Sequence, residues 1–473
     1  MTSIRTTTTL AIVGGGASGC LVAAQLLRQA TQSVRILLFE RMTDVGRGVA
    51  YGTRCPAHLL NVPAGRMSAF PDQADHFLQW VGARVGRPGF PEAVGAGDFL
   101  SRQLYGEYLR SVLASARANA SVEVELEEIK GEVIDIETDH GAVRLRCGDG
   151  RAFLADQVVL AIGNLPGEYP IRRSLPIYHT QYYVHVPWAP GALAGISPDS
   201  EILIVGAGLT AIDLMLEMAN AGHRGTIHAL SRRGLLPQAH RPSPAYADFL
   251  GGEALPASVL AVSRRIRAEV RRAGALGVDW RPVVDAIRPH AQELWQRLSV
   301  AERARFMRHL RPFWEVHRHR VAPPVAARIE ELRRDGRVGF YAGRLTQLVE
   351  KNGGVEAHFR LRANGKTRAV RVAKVINCTG PRTDYSKYQH PLLVNLLARG
   401  LIDHDPLALG LRATARGEVL RYRGGIVGWL HTLGAPMKGD LWECTAIPEI
   451  RTQAAEIAAQ LLNRASEPVH AVG

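Results

Sequence analysis

Twice in 473 residues an apolar run breaks at a glycine turn and resumes as a helix-like segment. The first copy runs Leu10 to Val13, then Gly14-Gly15-Gly16-Ala17-Ser18-Gly19, a helical stretch Cys20 to Gln29 and a strand Val34 to Phe39 ending at Glu40. Alternating strands at Val122–Leu126, Glu132–Glu137 and Ala142–Cys147 follow, and Val158-Val159-Leu160-Ala161-Ile162-Gly163 closes the copy. The second copy repeats the order. Glu201 to Val205 leads to Gly206-Ala207-Gly208-Leu209-Thr210-Ala211, a helix Ile212 to Ala221, a strand Thr226 to Leu230, strands near Leu345–Glu350 and Val355–Leu361, and Val375-Ile376-Asn377-Cys378-Thr379-Gly380. Strand, glycine turn, helix, strand and meander in that order make one dinucleotide-binding domain. The expected fold class is therefore α/β with two Rossmann-like domains. The first takes residues 1–165 and 380–473, and the second takes 166–379.

The chemistry of each turn follows from its glycines. Gly14 permits the tight turn, Gly16 lets backbone approach a pyrophosphate, and Gly19 lets the helix pack on the strand. The helix N-terminus presents unpaired N–H groups and partial positive charge to phosphates. Glu40 stands 21 residues after Gly19, where a carboxylate accepts from both hydroxyls of an unmodified ribose, as in FAD or NAD. In the second copy Ser231 and Arg232 fall 20 and 21 residues after Ala211, with Arg233 next. Hydroxyl and guanidinium groups there favour a 2′-phosphate, so NADPH is expected over NADH.

Composition narrows the alternatives. Five scattered cysteines with no C-x-x-C pair suggest neither a zinc site nor a redox dithiol. Sparse cysteine usage and a polar N-terminus with no apolar leader give a cytoplasmic expectation. No apolar run is long enough to span a membrane. The formal net charge is +14, yet no RNA-binding or zinc-finger motif accompanies it, so nucleic acid is not expected as a partner. The excess concentrates in an expected helical insertion, residues 255–335, with 17 Arg and no Lys against 9 acidic residues. Its arginines read either as a solvated helix face or as a cap that helps hold an anionic small-molecule substrate or the cofactor phosphates. His317 and His319 lack metal-ligand spacing, and no metal is expected.

These motifs, together with Phe39-Glu40-Arg41, Gly46-Arg47-Gly48-Val49-Ala50-Tyr51-Gly52, His58 to Pro63, Arg66 to Asp72, Ser231 to Gly234, His317 to Arg320 and Trp442 to Arg451, resemble FAD/NAD(P)-binding flavoproteins related to flavin-containing and N-hydroxylating monooxygenases. The resemblance places Arg47, Gly48 and Tyr51 near the flavin ring. It puts Gly434 and the helix start at Pro448 and Glu449 against the flavin end of FAD. It adds Gly15, Ala17, Ser18, Arg41, Met67, Val133, Gly163, Leu209, Thr210 and Gly380 to the cofactor-binding set. Asn61 is the candidate catalytic residue, its amide able both to donate and to accept at the reactive edge of the flavin. One departure stands out: a monooxygenase signature F-x-G-x-x-x-H could end at His179, but Arg173 and Leu175 replace its Phe and Gly. The implied activity is NADPH-driven oxygenation of a small molecule, with N-oxygenation as its narrower form. The alternatives are a reductase passing electrons to a quinone or protein, and a nucleotide-binding redox sensor without turnover. Neither substrate nor oligomeric state is legible.

Overall fold

The computed structural model describes residues 7–42, 44–139, 141–171, 174–251 and 255–466. The chain divides into two units. The first comprises Met1–Arg54, Val62–Leu165 and Thr383–Gly473, and the second comprises Cys55–Asn61 and Pro166–Arg382. Cys55–Asn61, placed by sequence within the first domain, groups with the second.

In the first unit six strands form one sheet in the order Glu418–Leu420, Ile426–Thr432, Gln157–Leu160, Thr8–Val13, Val34–Glu40, Val124–Lys130. All neighbours pair in parallel except the first two. Parallel strands covered on both faces read as continuous apolar runs, and Leu10, Ala11, Ile12 and Val13 are all buried. The strand order turns in opposite directions on either side of Thr8–Val13, which opens a crevice at its carboxyl end. Helix Ala17–Gln29 springs from that end, and the C-terminal helix Ile447–Ser466 packs along it. A separate antiparallel sheet, Val133–Asp139, Ala142–Cys147 and Ala152–Ala155, is covered by helix Pro391–Ala398. Leu392, Leu393 and Leu396 from that helix join Ile136, Val143 and Leu145 in one apolar cluster.

The second unit repeats the design with seven strands: Thr367–Val372, Gly354–Leu361, Val338–Lys351, Ile227–Ser231, Ile202–Val205, Lys374–Asn377 and Tyr183–Val184. Val338–Lys351 does two jobs. Its first half pairs in parallel with Ile227–Ser231, and its second half pairs antiparallel with Gly354–Leu361, with a register shift between Leu345 and Gln347. Between Ile227–Ser231 and this strand lies the expected helical insertion, here six α-helices from Val259–Ala275 to Pro323–Arg334. No helix among the described residues is long and apolar enough to cross a membrane.

Candidate functional site

The first glycine turn is built as its spacing predicts. Gly14 sits at φ +111°, and a Cβ there would lie 2.4 Å from the Ala161 carbonyl oxygen. A Cβ on Gly19 would lie 1.9 Å from the Gly14 oxygen. At Gly15 it would fall 2.8 Å from the Glu40 Cβ, so that glycine lets the acidic side chain lie against the turn. Gly16 differs: its nearest neighbour would be the Gly48 Cα at 3.6 Å, leaving open space beside the turn. Gly16 is also the N-cap of helix Ala17–Gln29, with no side-chain cap and no acidic residue in the first turn, so Ala17 and Ser18 start the helix with uncapped amides.

Glu40 accepts from the Gly15 amide at 3.1 Å through one oxygen and from the Met42 amide at 2.9 Å through the other. These bonds orient the carboxylate against the turn. Gly131 donates its amide to the Glu40 carbonyl at 2.9 Å, which brings the start of strand Val133–Asp139 beside the acid, with Val133 buried. Arg41 is turned aside: its guanidinium donates to Glu132 at 2.7 Å, and Glu132 also meets His390 at 2.9 Å. On present geometry Arg41 is a clasp for the strand end.

The loop after Glu40 folds back over the turn. Gly46 donates its amide to the Gly15 carbonyl at 2.7 Å, and a Cβ on Gly48 (φ +53°) would approach the Gly16 Cα to 3.1 Å. Gly48–Tyr51 forms one helical turn. It rests on helix Arg102–Ala118 because Gly106 there offers no side chain: a Cβ would meet the Tyr51 oxygen at 2.6 Å. The Tyr51 ring lies 4.7 Å from that of Tyr105, and burial pushes the Tyr51 phenol up to about 12. Arg47 is 3.7 Å from Asp44, which also accepts from Arg110 at 2.9 Å. Met67 is buried, and Arg451 of the C-terminal helix donates to the neighbouring Ser68 carbonyl at 3.0 Å. Gly163, at φ +62°, has its carbonyl held by the Tyr385 hydroxyl at 3.3 Å.

The C-terminal segment returns to the same place. Gly434 adopts φ +71°, and a Cβ there would stand 3.5 Å from the Ser18 hydroxyl. The Gly434 amide donates to Gln453 Oε1 at 2.9 Å. Helix Ile447–Ser466 begins with Pro448 and Glu449 in its first turn. Gly410 lets the 3-10 turn Ala435–Met437 pack close, since a Cβ on it would meet the Pro436 oxygen at 2.1 Å. The first unit thus supplies an open space at Gly16, free helix amides, an oriented carboxylate and a buried, unpartnered Gln453 amide nitrogen. These features fit a dinucleotide.

The second turn is the same device. Gly206 has φ +131°, with a would-be Cβ 2.0 Å from the Cys378 oxygen, matching Gly14 and Ala161. Gly208 caps helix Leu209–Asn220 with open space around it, and Leu209, Thr210 and the buried Ala211 form the helix start. At the end of strand Ile227–Ser231 the three expected 2′-phosphate residues diverge. The Ser231 hydroxyl accepts from the Gly234 amide at 3.0 Å. Arg233 lies over the Phe313 ring at 5.2 Å and donates to the Arg308 carbonyl at 3.2 Å. Arg232 is exposed. Gly380 closes the unit at φ +93°.

Asn61 lies in the second unit, whereas Arg47, Gly48 and Tyr51 lie in the first. The Asn61 carbonyl meets His240 Nε2 at 3.0 Å, so the imidazole donates there. Burial, then the Arg320 charge, pushes His240 down to about 4, which keeps it neutral. At the other end of the segment the fully buried His58 meets the Asp213 carbonyl at 3.0 Å through Nε2.

Most insertion arginines are engaged inside the insertion. Arg281 is buried, bidentate to Asp279 at 2.9 and 3.0 Å and bonded to the Ala239 carbonyl. Arg320 is buried against Asp285, and Arg303 lies over Trp295. Arg297, Arg305, Arg311, Arg328 and Arg333 pair with acids three or four positions away. His317 donates through Nδ1 to the Phe313 carbonyl and edges onto Trp280 at 4.7 Å, and no metal-ligating cluster occurs among the described residues. Arg173 lies outside the described residues, while His179 ends a 3-10 turn, Pro176–His179.

Residues 11–165 match the FAD-NAD(P)-binding family, so the first unit carries an FAD/NAD(P)-binding domain. No curated protein matches the chain by sequence. Its fold is that of two-domain flavoproteins. It is similar to ornithine N-hydroxylase of Kutzneria sp. 744, with TM-score 0.66 and 14% identity over 98% of this chain and 100% of that one. L-lysine 6-monooxygenase from Pseudomonas syringae aligns with TM-score 0.64 and 17% identity over 98% and 100%. The cadaverine monooxygenase of desferrioxamine biosynthesis from Erwinia amylovora aligns with TM-score 0.62 and 13% identity over 98% and 96%.

Proposed function

We propose that this chain is an FAD-dependent, NADPH-using monooxygenase that transfers one oxygen atom to the nitrogen of a small amine. The observation that carries the reading is the pairing of two equivalent glycine turns with unlike partners: an oriented carboxylate, Glu40, at one and an exposed guanidinium, Arg232, at the other. The fold likeness to N-hydroxylating enzymes over nearly the whole chain supports the choice of reaction. Disulfide exchange, known for other proteins of this architecture, lacks its chemistry here, because all five cysteines are free and four are buried.

Bound together, NADPH supplies hydride and FAD the redox chemistry that activates oxygen. The polypeptide's part is to hold and to shield. The uncapped amides of Ala17–Gln29 and Leu209–Asn220 would each hold a pyrophosphate, and Glu40 would hold the FAD ribose. Arg232 would pair with the 2′-phosphate of NADPH. Asn61, its backbone carbonyl bonded to His240, is the residue assigned to the oxygen chemistry, where its side-chain amide would donate to oxygen and could accept from an N–H.

Anaerobic reduction of the flavin by NADPH, followed by oxygen and a panel of primary amines, tests the reading. Amine-dependent NADPH consumption with a hydroxylamine product is expected. Rapid electron transfer to a quinone, with no oxygenated product from any amine, would overturn it.

A further inference from the structure

We propose that Gln453 is part of the FAD site, its side-chain amide donating to the ribityl–pyrophosphate stretch of the cofactor. Gln453 lies in helix Ile447–Ser466 and is only 7% exposed. Its Oε1 accepts from the Gly434 amide at 2.9 Å. Only an oxygen can accept from that N–H, so the bond fixes which end of the amide faces Gly434 and turns the NH2 group the other way. That Nε2 is buried and has no hydrogen-bond partner in the protein. Most buried side-chain donors are paired, and one left without a protein partner is open to a group that the polypeptide does not itself supply.

The surroundings indicate which group. Gly434, held by this same glutamine, takes φ +71°, which favours glycine, and a Cβ there would stand at ordinary contact distance, 3.5 Å, from the Ser18 hydroxyl, so the two segments are neighbours. Ser18 stands in the first turn of Ala17–Gln29, the helix whose amides are uncapped. Gln453 therefore joins the C-terminal helix to the phosphate-binding turn, and a neutral donor at that junction suits phosphate and hydroxyl oxygens. The inference rests on FAD being the nucleotide of the first unit.

The full-length apoprotein is titrated with FAD for wild type, Gln453→Glu and Gln453→Leu, following flavin fluorescence, and Tm is measured with and without FAD. Gln453→Glu keeps an acceptor for Gly434 and replaces the donor by a negative charge. Its FAD Kd is expected to rise about tenfold or more, as for loss of a hydrogen bond to a charged group. Its FAD-induced gain in Tm, read against its own apoprotein, should shrink. Gln453→Leu should weaken binding less, since it adds no repulsion. Wild-type Kd and an undiminished Tm gain in Gln453→Glu would overturn the proposal and leave a buried water as the partner of Nε2. A wild-type protein that takes up no FAD would instead refute the flavin assignment itself.

Discussion

The imidazole of His240 donates through Nε2 to the backbone oxygen of Asn61 at 3.0 Å. His240 is held in turn by the insertion, because its amide donates to the Val321 carbonyl and Val321 donates to Gln238. The position of Asn61 is thus set by an element far away in sequence. His240→Leu should leave NADPH oxidation running but lower the share that ends in oxygenated product several-fold, with hydrogen peroxide making up the difference. His240→Gln, which keeps a donor, should restore much of that share. Equal coupling in wild type and His240→Leu would show that the contact does not position Asn61.

Two shielded histidines, His431 buried and His240 half-buried, give the fold an acid-sensitive window. Burial pushes His240 and His431 from their ordinary 6.5 down to about 4. Above pH 6.5 both are neutral whether folded or unfolded, and neither makes stability depend on pH. As pH falls towards 4 the unfolded chain binds protons that the folded chain refuses, so stability is lost across that interval and levels off below it. Chemical denaturation at stepped pH should show this decline, and His431→Phe should make it shallower.

The glycines separate into those the fold requires and those the ligand requires. Gly14→Ala meets the Ala161 oxygen at 2.4 Å with a positive φ, so it should disrupt the turn and lower the Tm of the apoprotein. Gly16→Ala finds nothing nearer than 3.6 Å and should fold with a Tm close to wild type, yet bind FAD poorly because the new methyl occupies the cofactor's approach. Equal FAD affinity in Gly16→Ala and wild type would displace the pyrophosphate from this turn.

Arg232 and Arg233 are neighbours in sequence with unlike surroundings, the first exposed and the second against Phe313. Arg232→Ala should raise KM for NADPH roughly ten- to hundredfold, the scale of a lost charge-assisted hydrogen bond, while KM for NADH changes little. Arg233→Ala should act mainly on stability, since its guanidinium is spent on Phe313 and the Arg308 carbonyl. Initial rates with both nucleotides decide between them.

Thiol reactivity should be confined to one residue. Cys20, Cys147, Cys378 and Cys444 are buried, only Cys55 is partly accessible, and burial raises all five thiols. A thiol reagent near neutral pH should label Cys55 alone and slowly in the native protein, and all five in denaturant.

Much of this was legible in one sequence because backbone geometry leaves few choices at a nucleotide turn. Gly14 and Gly19 could be assigned before any coordinates, since only glycine tolerates the contacts they make. The helices begin three residues earlier than apolar periodicity suggested, at Ala17 and Leu209, because the turn residues after Gly16 and Gly208 are already helical. Strand Thr367–Val372 was missed: it lies at the sheet edge, and three of its first four residues are exposed, so no apolar run betrays it. Gly106 and Gly410 serve the site by admitting backbone from remote segments, a property that no local pattern encodes. Gln453 was equally silent, because its role depends on Gly434 arriving opposite it. The fate of Arg41 and Arg233 shows the converse limit. Position along the chain pointed to both as ligands but could not show that Glu132 and Phe313 would stand against their guanidinium groups.

The brief excursion Cys55–Asn61 makes the polypeptide change sides four times: after Arg54, Asn61, Leu165 and Arg382. A gene fragment coding for either half alone therefore cannot be excised with one cut, or even two. Grafting the second half onto another flavoprotein would strand its heptapeptide in the donor and leave the Asp213 carbonyl without the buried His58 imidazole that bonds it. A continuous cassette of residues 166–382 would therefore leave Cys55–Asn61 behind, and a working transplant would have to carry both segments together.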